Sequence, residues 1–303
     1  MIDVKAILNG TKARNTVDGY SKAWEKFVEY CGSEDEAFNS INLVKWRQYM
    51  VNKTNLSANS INYRIHSVRS IINSLAEHRI VSRETKWDFA EVQSLPGTAL
   101  IERKRQNSRI RISTDQMRAL VDEPAPDLYD PLHSMERALL LVLGTTGMRI
   151  SEAMRIKVDD IGKVGNSYVI HNIIGKKTVE PRVAPLGVEA HGAVMDWLHI
   201  RPVQSDYIFV SASRTRCEDS DTILWSEDPM HRVSAYRVVK KYGKRIGMPN
   251  IKPHDLRRFV GTQLASKSGI RTAQKVLGHA SPDTTARYYI MDDTPIGVTD
   301  ELF

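Results

Sequence analysis

The stretch from Lys252 to Ile290 constrains this chain more than any other part of its sequence. It begins with Lys252-Pro-His-Asp-Leu-Arg-Arg-Phe259, passes through Leu277-Gly-His279 and ends in Ala286-Arg-Tyr-Tyr-Ile290. Arginine and histidine side chains that can bind a phosphate, and tyrosines that can attack one, are thus concentrated in one short segment. The remainder of the chain must fold into a scaffold that supports them.

Helices are predicted through this stretch. Pro253 suits the first turn of a helix, where His254 and Arg257, three residues apart, share one face. That end of a helix is its positive end, so an anion is favoured there. A second helix is predicted over Ile270 to Leu277, and Gly278 is a typical residue to end it.

A third helix is predicted to begin at Ser281-Pro282 and to carry the tyrosines. The segment resembles the C-terminal signature of the tyrosine recombinases, the phage integrase family. That signature is His-x-x-Arg, then Leu-Gly-His, then a tyrosine nine residues after the second histidine. Counted from His279, this tyrosine is Tyr288, and Tyr289 is the less favoured alternative. Neighbouring helix residues point about 100° apart, so only one of the two can face the site.

Two upstream segments extend the resemblance. Thr146-Gly-Met-Arg-Ile-Ser-Glu152 resembles the first arginine box of the family, and Ile174-Gly-Lys-Lys177 resembles its lysine hairpin. Lys176 follows a glycine, as the family lysine does, but the loop is about one residue longer than usual, which leaves Lys177 as an alternative. Each motif alone is weak, whereas four motifs in the family's order make a specific match.

The chain is predicted to be mainly α-helical, with a small β-hairpin or sheet, in two domains. The resemblance implies a helical core-binding domain of the SAM-like type over residues 1–95 and a catalytic mixed α+β domain over residues 114–303. A basic linker over residues 96–113 would join them, and a C-terminal tail from about residue 291 would dock onto a neighbouring protomer. A simple, Xer-like architecture is expected.

Hydrophobic periodicity supports helices in the N-terminal part. An apolar stripe over residues 16–30 ends at Gly32, a second helix is predicted over Leu43–Asn52, and Ser57 is predicted to cap a third. This pattern alone is equally typical of a generic helical bundle. The position of the bundle ahead of the catalytic motifs is what favours DNA binding.

In the C-terminal part, Ser113-Thr114 is predicted to cap one helix, and Ser134 to Leu143 to form a core helix that the stretch Gly144-Thr-Thr-Gly147 breaks. Arg149 would then begin a further helix, with Ser151 as its cap. Tyr168 to Ile174 and Arg182 to Leu186 predict a hairpin with the lysines at its tip. The remaining segments are predicted as a helix over 188–199, a short strand over 206–210, a polar loop over 211–229 and a basic helix over 233–246.

The resemblance assigns each candidate residue a chemical role. Two arginines would clamp the scissile phosphate, two histidines would add hydrogen bonds, a lysine would protonate the leaving 5′ oxygen, and a tyrosine would attack to give a 3′-phosphotyrosine. A carboxylate would orient the first arginine. In the same order, these residues are Arg149 and Arg257, His254 and His279, Lys176, Tyr288, and Glu152.

The charge of the chain favours a polyanionic partner. The net charge is +7, and residues 96–113 carry five basic side chains against one acidic. Any of these cations can equally belong to a solvated face. The candidate DNA contacts are Arg64, Arg69, Arg103, Lys104, Arg105, Arg109, Arg111, Lys177, Lys240 and Lys241.

These features predict a site-specific DNA recombinase that works through a Holliday junction. No acidic cluster of the two-metal type and no phosphate-binding Gly-x-x-x-x-Gly-Lys-Ser/Thr loop is present, so neither a metal nor ATP is expected. The expected partners are a double-stranded recombination site and further copies of the chain, as a tetramer on DNA and a monomer off it. Two alternatives are a catalytically inactive DNA-binding relative and a type IB topoisomerase-like enzyme.

The expected location is the cytoplasm, with association to the nucleoid. No apolar run reaches the length of a membrane span, and the N-terminus does not resemble a signal peptide. Two cysteines, Cys31 and Cys217, are too few for a disulfide framework and are expected to be unpaired thiols.

Overall fold

A computed structural model of the chain describes residues 2–105, 110–124, 130–175, 180–217 and 220–279. For residues 104, 105, 214–217, 220 and 221 only the course of the backbone is described. The chain forms two compact units, an N-terminal unit, Met1–Ser108, and a C-terminal unit, Arg109–Phe303. Each has its own buried apolar core.

The described residues of the N-terminal unit form helices and no strand. The helices are α1 Val4–Leu8, α2 Arg14–Cys31, α3 Glu34–Ala37, α4 Ser40–Lys53, α5 Ala58–Glu77, α6 Arg83–Glu91 and α7 Ile101–Arg105. Gly32 ends α2 in the left-handed conformation, at φ 86°, and the Ser57 hydroxyl accepts a hydrogen bond from the Ser60 amide at the start of α5. Both predicted helix boundaries are therefore confirmed.

The C-terminal unit combines helices with two small antiparallel sheets. Its elements are α8 Thr114–Asp122, α9 Pro131–Thr146, α10 Ile150–Ala153, a 3₁₀ turn Val158–Asp160, β1 Ile161–Val164, β2 Ser167–Ile173, β3 Arg182–Leu186, α11 Val188–Ile200, β4 Val210–Cys217, β5 Ser220–Pro229, α12 Arg232–Arg245, α13 Pro253–Ser268 and α14 Ile270–Leu277. The predicted fold class, mainly α with a small sheet, is confirmed. No described helix has the length and apolar composition of a membrane span.

The predicted hairpin is formed by β2 and β3, with Tyr168 opposite Leu186 and Ile170 opposite Ala184. The sequence did not predict β1, which pairs with the outer edge of β2. A bulge interrupts the β2–β3 pairing before the loop, and Asn172 there has a positive φ of 56°. Strand β2 leads into the loop that contains the two candidate lysines, and β3 leads out of it.

The prediction of a polar loop over residues 211–229 was wrong. Residues 210–229 form the antiparallel ribbon of β4 and β5. Backbone pairing holds such a ribbon together even where its side chains are polar, so the sequence shows little apolar alternation. One aromatic contact secures it to the unit, because Trp225 of β5 stacks on the buried Trp197 of α11 with ring centroids 5.4 Å apart.

Two local predictions around the first arginine box have different outcomes. The predicted break within Gly144-Thr-Thr-Gly147 is confirmed, because α9 continues to Thr146 and ends at Gly147. A Cβ on Gly144 would lie 3.2 Å from the Met117 sulfur of α8, so this glycine permits close helix packing. Ser151 does not cap α10, because Arg149 occupies the N-cap position and its amide donates to the Glu152 carboxylate at 3.0 Å.

Helix α9 is the centre of the C-terminal unit. Its residues Leu139, Leu140 and Leu143 are buried, although they point in different directions around the helix. Helices α8, α11 and α13 pack on its sides. The end of α9 is consequently held next to α13, which carries His254 and Arg257.

Candidate active site

The site is built where helices α9 and α14 end. Arg257, in the first turns of α13, is 3% exposed. One of its terminal nitrogens donates to the carbonyl oxygen of Gly147, at the end of α9, and the other donates to that of Leu277, at the end of α14, both at 2.7 Å. Helix C-termini leave carbonyl groups without intrahelical partners, and a guanidinium is well suited to bind them. Arg257 therefore fixes two segments relative to its own helix.

Arg149 lies two residues beyond Gly147. One terminal nitrogen of its guanidinium donates to Oε1 of Glu152 at 2.7 Å, while 36% of the side chain remains exposed. Glu152 is almost fully buried. Burial acts to raise the pKa of its carboxyl, but hydrogen bonds from Arg149 and the charges of Arg182 and Arg149 outweigh burial and hold the pKa below its ordinary value. The carboxylate is thus a fixed anion that orients Arg149 towards the surface.

Arg182 is a third arginine of the cluster, and it lies outside the sequence motifs described above. It stands at the start of β3, where its Nη2 donates to Oε2 of Glu152 at 2.8 Å and its Nη1 donates to the Val276 carbonyl of α14 at 2.6 Å. A signal was present in the sequence. Strand alternation places Arg182 on the same face as the buried Ala184 and Leu186, and an inward-facing charge requires a partner.

His279 follows Gly278, which ends α14 in the left-handed conformation at φ 63°. The His279 amide donates to the Gln274 carbonyl at 3.2 Å. Burial, and next to it the positive charge of Arg257, lowers the pKa of the His279 imidazole to about 4. The ring is therefore neutral at neutral pH.

Hydrogen bonds show that the cluster is contiguous, because Arg257 binds the carbonyl oxygens of Gly147, two residues before Arg149, and of Leu277, two residues before His279. In keeping with this, Arg149, His254 and Arg182 add to the effect of Arg257 in lowering the pKa of His279. His254 is an exposed residue in the first turn of α13. The amide of Lys252 donates to the Asp255 carboxylate at 3.0 Å and fixes where that helix begins. Four predicted site residues therefore converge in space, with Glu152 behind them.

The remaining predicted residues of the reaction lie outside the described residues. They are Lys176, Lys177, Tyr288 and Tyr289, together with the helix predicted at Ser281-Pro282 and the tail from residue 291. Their assignments stay predictions. The strands that flank the lysine loop are described, and β3 packs against α14, so the hairpin is attached to the element that precedes His279.

Three candidate DNA contacts in the N-terminal unit have partners within that unit. The guanidinium of Arg64 lies 3.8 Å from the Met50 sulfur, and that of Arg69 lies 3.4 Å from the Val92 carbonyl oxygen. Arg103 donates to the carbonyl oxygens of Leu56 and Val51, at 3.1 and 2.7 Å. Neither the side chains of Lys104 and Arg105 nor any part of Arg109 is described, and Arg111 is exposed.

Some basic side chains of helix α12 also form hydrogen bonds within the protein. Lys240 donates to the Pro249 carbonyl oxygen at 2.6 Å, and Lys241 donates to the buried Glu136 carboxylate at 2.6 Å. The Tyr242 hydroxyl donates to the same carboxylate. Lys244 of the same helix is exposed. DNA binding by Lys240 and Lys241 remains a prediction. Both ammonium groups already donate a hydrogen bond to another group of the protein.

A cluster of this composition suits a phosphate group. Guanidinium groups bind phosphate oxygens through paired, charge-assisted hydrogen bonds, and a neutral imidazole adds one donor and one acceptor. The carboxylate of Glu152 is engaged by Arg149 and Arg182, which limits its repulsion of an incoming anion. The arrangement can therefore stabilise negative charge on non-bridging oxygens.

Comparison with known proteins gives a consistent result. Residues 111–294 match the model of the phage integrase family. The tyrosine recombinase XerD of Ralstonia nicotianae is 27% identical over 281 residues, which are 91% of this chain and 83% of that protein. The tyrosine recombinase XerA of Pyrococcus horikoshii is 26% identical over 282 residues, again 91% of this chain and 83% of that protein.

Solved structures share the fold. A post-cleavage complex of the XerH site-specific recombinase with a palindromic difH substrate aligns with a TM-score of 0.69 and 17% identity, covering 94% of this chain and 78% of that one. A lambda integrase tetramer bound to a Holliday junction aligns with a TM-score of 0.66 and 13% identity, covering 94% and 75%. At these identities the matches establish a common fold.

Proposed function

This chain belongs to the phage integrase family, and we propose that it is a site-specific tyrosine recombinase that cleaves and rejoins DNA strands. The observation that carries the proposal is the convergence of Arg149, the His254–Arg257 pair and His279, three distant parts of the sequence, where Arg257 binds Gly147 and Leu277. Their spacing to Tyr288 supports that residue as the nucleophile.

The proposed reaction begins with attack of the Tyr288 oxygen on the scissile phosphorus. The P–O5′ bond breaks as the P–O(tyrosine) bond forms, which leaves a 3′-phosphotyrosine and a free 5′ hydroxyl. His254 takes the phenolic proton, and Lys176 donates a proton to the departing 5′ oxygen. Lys177 is the alternative acid. The charge on the non-bridging oxygens is stabilised by Arg149 and Arg257.

His279 contributes a hydrogen bond rather than a charge. Its lowered pKa keeps the imidazole neutral, so one ring nitrogen carries a proton that can be donated to a phosphate oxygen. A neutral donor beside three guanidinium groups, those of Arg149, Arg182 and Arg257, avoids adding a further positive charge to the cluster. Glu152 supports the same geometry by holding Arg149 from behind.

The covalent intermediate conserves the energy of the phosphodiester bond. A 5′ hydroxyl from a second duplex can attack the phosphotyrosine, which restores the tyrosine and joins the two strands without ATP. Exchange of one strand pair gives a Holliday junction, and exchange of the second pair resolves it. We propose a tetramer of this chain on two duplexes, in line with the tetrameric complex of lambda integrase to which its fold is similar.

The test is covalent trapping on nicked duplexes tiled across the DNA that flanks the gene of this protein. Wild type is compared with Tyr288→Phe and with Tyr289→Phe, the matched control one residue away. We expect a denaturation-resistant protein–DNA band for wild type and Tyr289→Phe, and none for Tyr288→Phe, which should still bind the same duplex. An undiminished band for Tyr288→Phe would refute the nucleophile assignment. Sequence-specific binding by wild type without any band would favour a non-catalytic DNA-binding protein.

A further inference from the structure

We propose that Arg182 is a positioning residue of the strand-cleavage reaction, which acts by holding Glu152, and through it Arg149, against the end of helix α14. This inference rests on the proposed recombinase function. It assigns a role to an arginine outside the set of candidate catalytic residues. Three contacts of the Arg182 side chain carry the argument.

The first two contacts are hydrogen bonds that the Arg182 guanidinium donates to two different helices. Nη2 of Arg182 donates to Oε2 of Glu152 at 2.8 Å, and Nη1 donates to the carbonyl oxygen of Val276 at 2.6 Å. The side chain is 14% exposed, so both bonds are sheltered from water. A planar guanidinium can hold two acceptors in a fixed geometry, which a single ammonium cannot do. Arg182 thus links α10 to α14 from its position on β3.

The third contact is made by the aliphatic part of the side chain. A Cβ on Gly278 would lie 2.5 Å from Cδ and 2.6 Å from Nε of Arg182. Arg182 therefore passes directly over the backbone of Gly278, the residue that precedes His279. Its position constrains the path of the chain at the point where His279 enters the cluster.

The shared carboxylate explains why Arg182 matters for Arg149. Oε1 of Glu152 accepts from the Arg149 guanidinium at 2.7 Å, whereas Oε2 accepts from Arg182 at 2.8 Å and from the Arg149 amide at 3.0 Å. Without Arg182, the buried carboxylate would depend more heavily on Arg149 to balance its charge. Glu152 would then compete more strongly with a phosphate for the Arg149 guanidinium. Arg182 lets Glu152 orient Arg149 without withdrawing it from the substrate.

The experiment measures the single-turnover rate of covalent adduct formation on the duplex at which wild type gives a trapped band. The variants are Arg182→Ala, Arg182→Lys, Glu152→Gln and the double variant Arg182→Ala/Glu152→Gln. The matched control is Arg118→Ala, which removes another arginine with two carboxylate partners, Glu189 and Asp122, on an exposed face of the same unit. Duplex affinity and the thermal unfolding midpoint are measured for every variant.

We expect Arg182→Ala to lower the rate of adduct formation by about 10- to 100-fold, because a displacement of a catalytic group by about 1 Å can slow a reaction about 100-fold. Duplex affinity should change less than the rate. Arg182→Lys should recover only part of the loss, because one ammonium cannot reach both Glu152 and Val276. The double variant should be no slower than the slower single variant, since both substitutions break the same link. Arg118→Ala should keep the wild-type rate.

Several results would overturn the inference. A rate for Arg182→Ala within about twofold of the wild-type rate would overturn it. If the alanine variant does not fold, a wild-type rate for Arg182→Lys would overturn it as well. Multiplicative losses in the double variant would show that Arg182 acts independently of Glu152. Absence of any adduct from wild type on duplexes that it binds would instead overturn the proposed recombinase function, and the inference with it.

Discussion

The guanidinium of Arg257 lies 2.7 Å from the carbonyl oxygen of Gly147, and this hydrogen bond joins two of the sequence motifs that are 110 residues apart. Gly147 ends helix α9 in the left-handed conformation, at φ 62°. Arg257 is buried beneath it and also binds the end of α14. The turn that leads to Arg149 is therefore positioned directly by the arginine with which Arg149 is proposed to act.

We expect Gly147→Ala to destabilise the protein and to slow adduct formation. A Cβ would lie 2.7 Å from Cδ2 of Leu277 and 3.1 Å from the Cβ of Val260, in addition to the strain of a positive φ. Overpacking and left-handed strain together predict a loss of about 2–4 kcal/mol in the free energy of unfolding. Urea denaturation and the trapping assay measure the two effects.

Gly165→Ala is the matched control for this prediction. Gly165 has nearly the same φ, 59°, but a Cβ on it would have no neighbour within 4 Å. The variant should lose only the strain contribution, about 1 kcal/mol, and keep its activity. Equal losses for the two variants would show that the contact with Leu277 and Val260 is unimportant.

The sequence predicted those elements of the site whose geometry depends on residues that are close in the chain. The helix that begins at Pro253 and the end of α14 at Gly278 depend on neighbouring residues, and both are confirmed. The grouping of Arg149 with His254, Arg257 and His279 was expected from the resemblance and not from any local pattern. The hydrogen bonds of Arg257 to Gly147, two residues before Arg149, and to Leu277, two residues before His279, bring these segments together.

Contacts between distant elements account for what the sequence did not predict. Arg182 was assigned only to a strand because its partners, Glu152 and Val276, belong to other elements. Residues 211–229 were predicted to be a loop, whereas pairing between β4 and β5 forms a ribbon there, which the stacking of Trp225 on Trp197 attaches to the unit. In both cases tertiary packing, which single-sequence propensities do not contain, decides the outcome.

Glu152 predicts a pH dependence of stability. Its carboxyl pKa is lowered in the folded protein, so the folded state binds fewer protons than the unfolded state near and below the ordinary value of 4.5. The resulting stabilisation is complete above that pH and is lost as the pH falls through the lowered pKa. The stability difference between wild type and Glu152→Gln should therefore shrink as the pH is lowered below about 4.5.

Urea denaturation of both proteins between pH 3 and 7, on the order of one point per half unit, measures this difference. Other carboxylates titrate over the same range, but they are common to both proteins and cancel in the comparison. A stability difference that stays constant with pH would mean that Glu152 does not have a lowered pKa in the folded state.

The two lysines Lys241 and Lys244 of helix α12 should respond differently to substitution. Lys241 donates to the buried Glu136, so Lys241→Gln should lower the free energy of unfolding by about 1–3 kcal/mol. Lys244 is exposed, and Lys244→Gln should leave stability unchanged but reduce the salt dependence of DNA binding by close to one counterion, a slope change of about 0.9. Binding titrations at several salt concentrations and urea denaturation separate the two effects. Identical behaviour of the variants would contradict this division.

Arg103 provides the corresponding test in the predicted basic linker, residues 96–113, where it was a candidate DNA contact. Its guanidinium donates to the carbonyl oxygens of Val51, in the last turn of α4, and of Leu56 beyond it, so it stabilises the end of that helix. Arg103→Ala should therefore lower the free energy of unfolding of the N-terminal unit by about 1.5–3 kcal/mol, the range for hydrogen bonds to a charged group. The exposed Lys244 of the C-terminal unit is the comparison, because Lys244→Gln is expected to act on the salt dependence of DNA binding and to leave stability unchanged. A reduced salt slope for Arg103→Ala without any loss of stability would restore Arg103 as a direct phosphate contact.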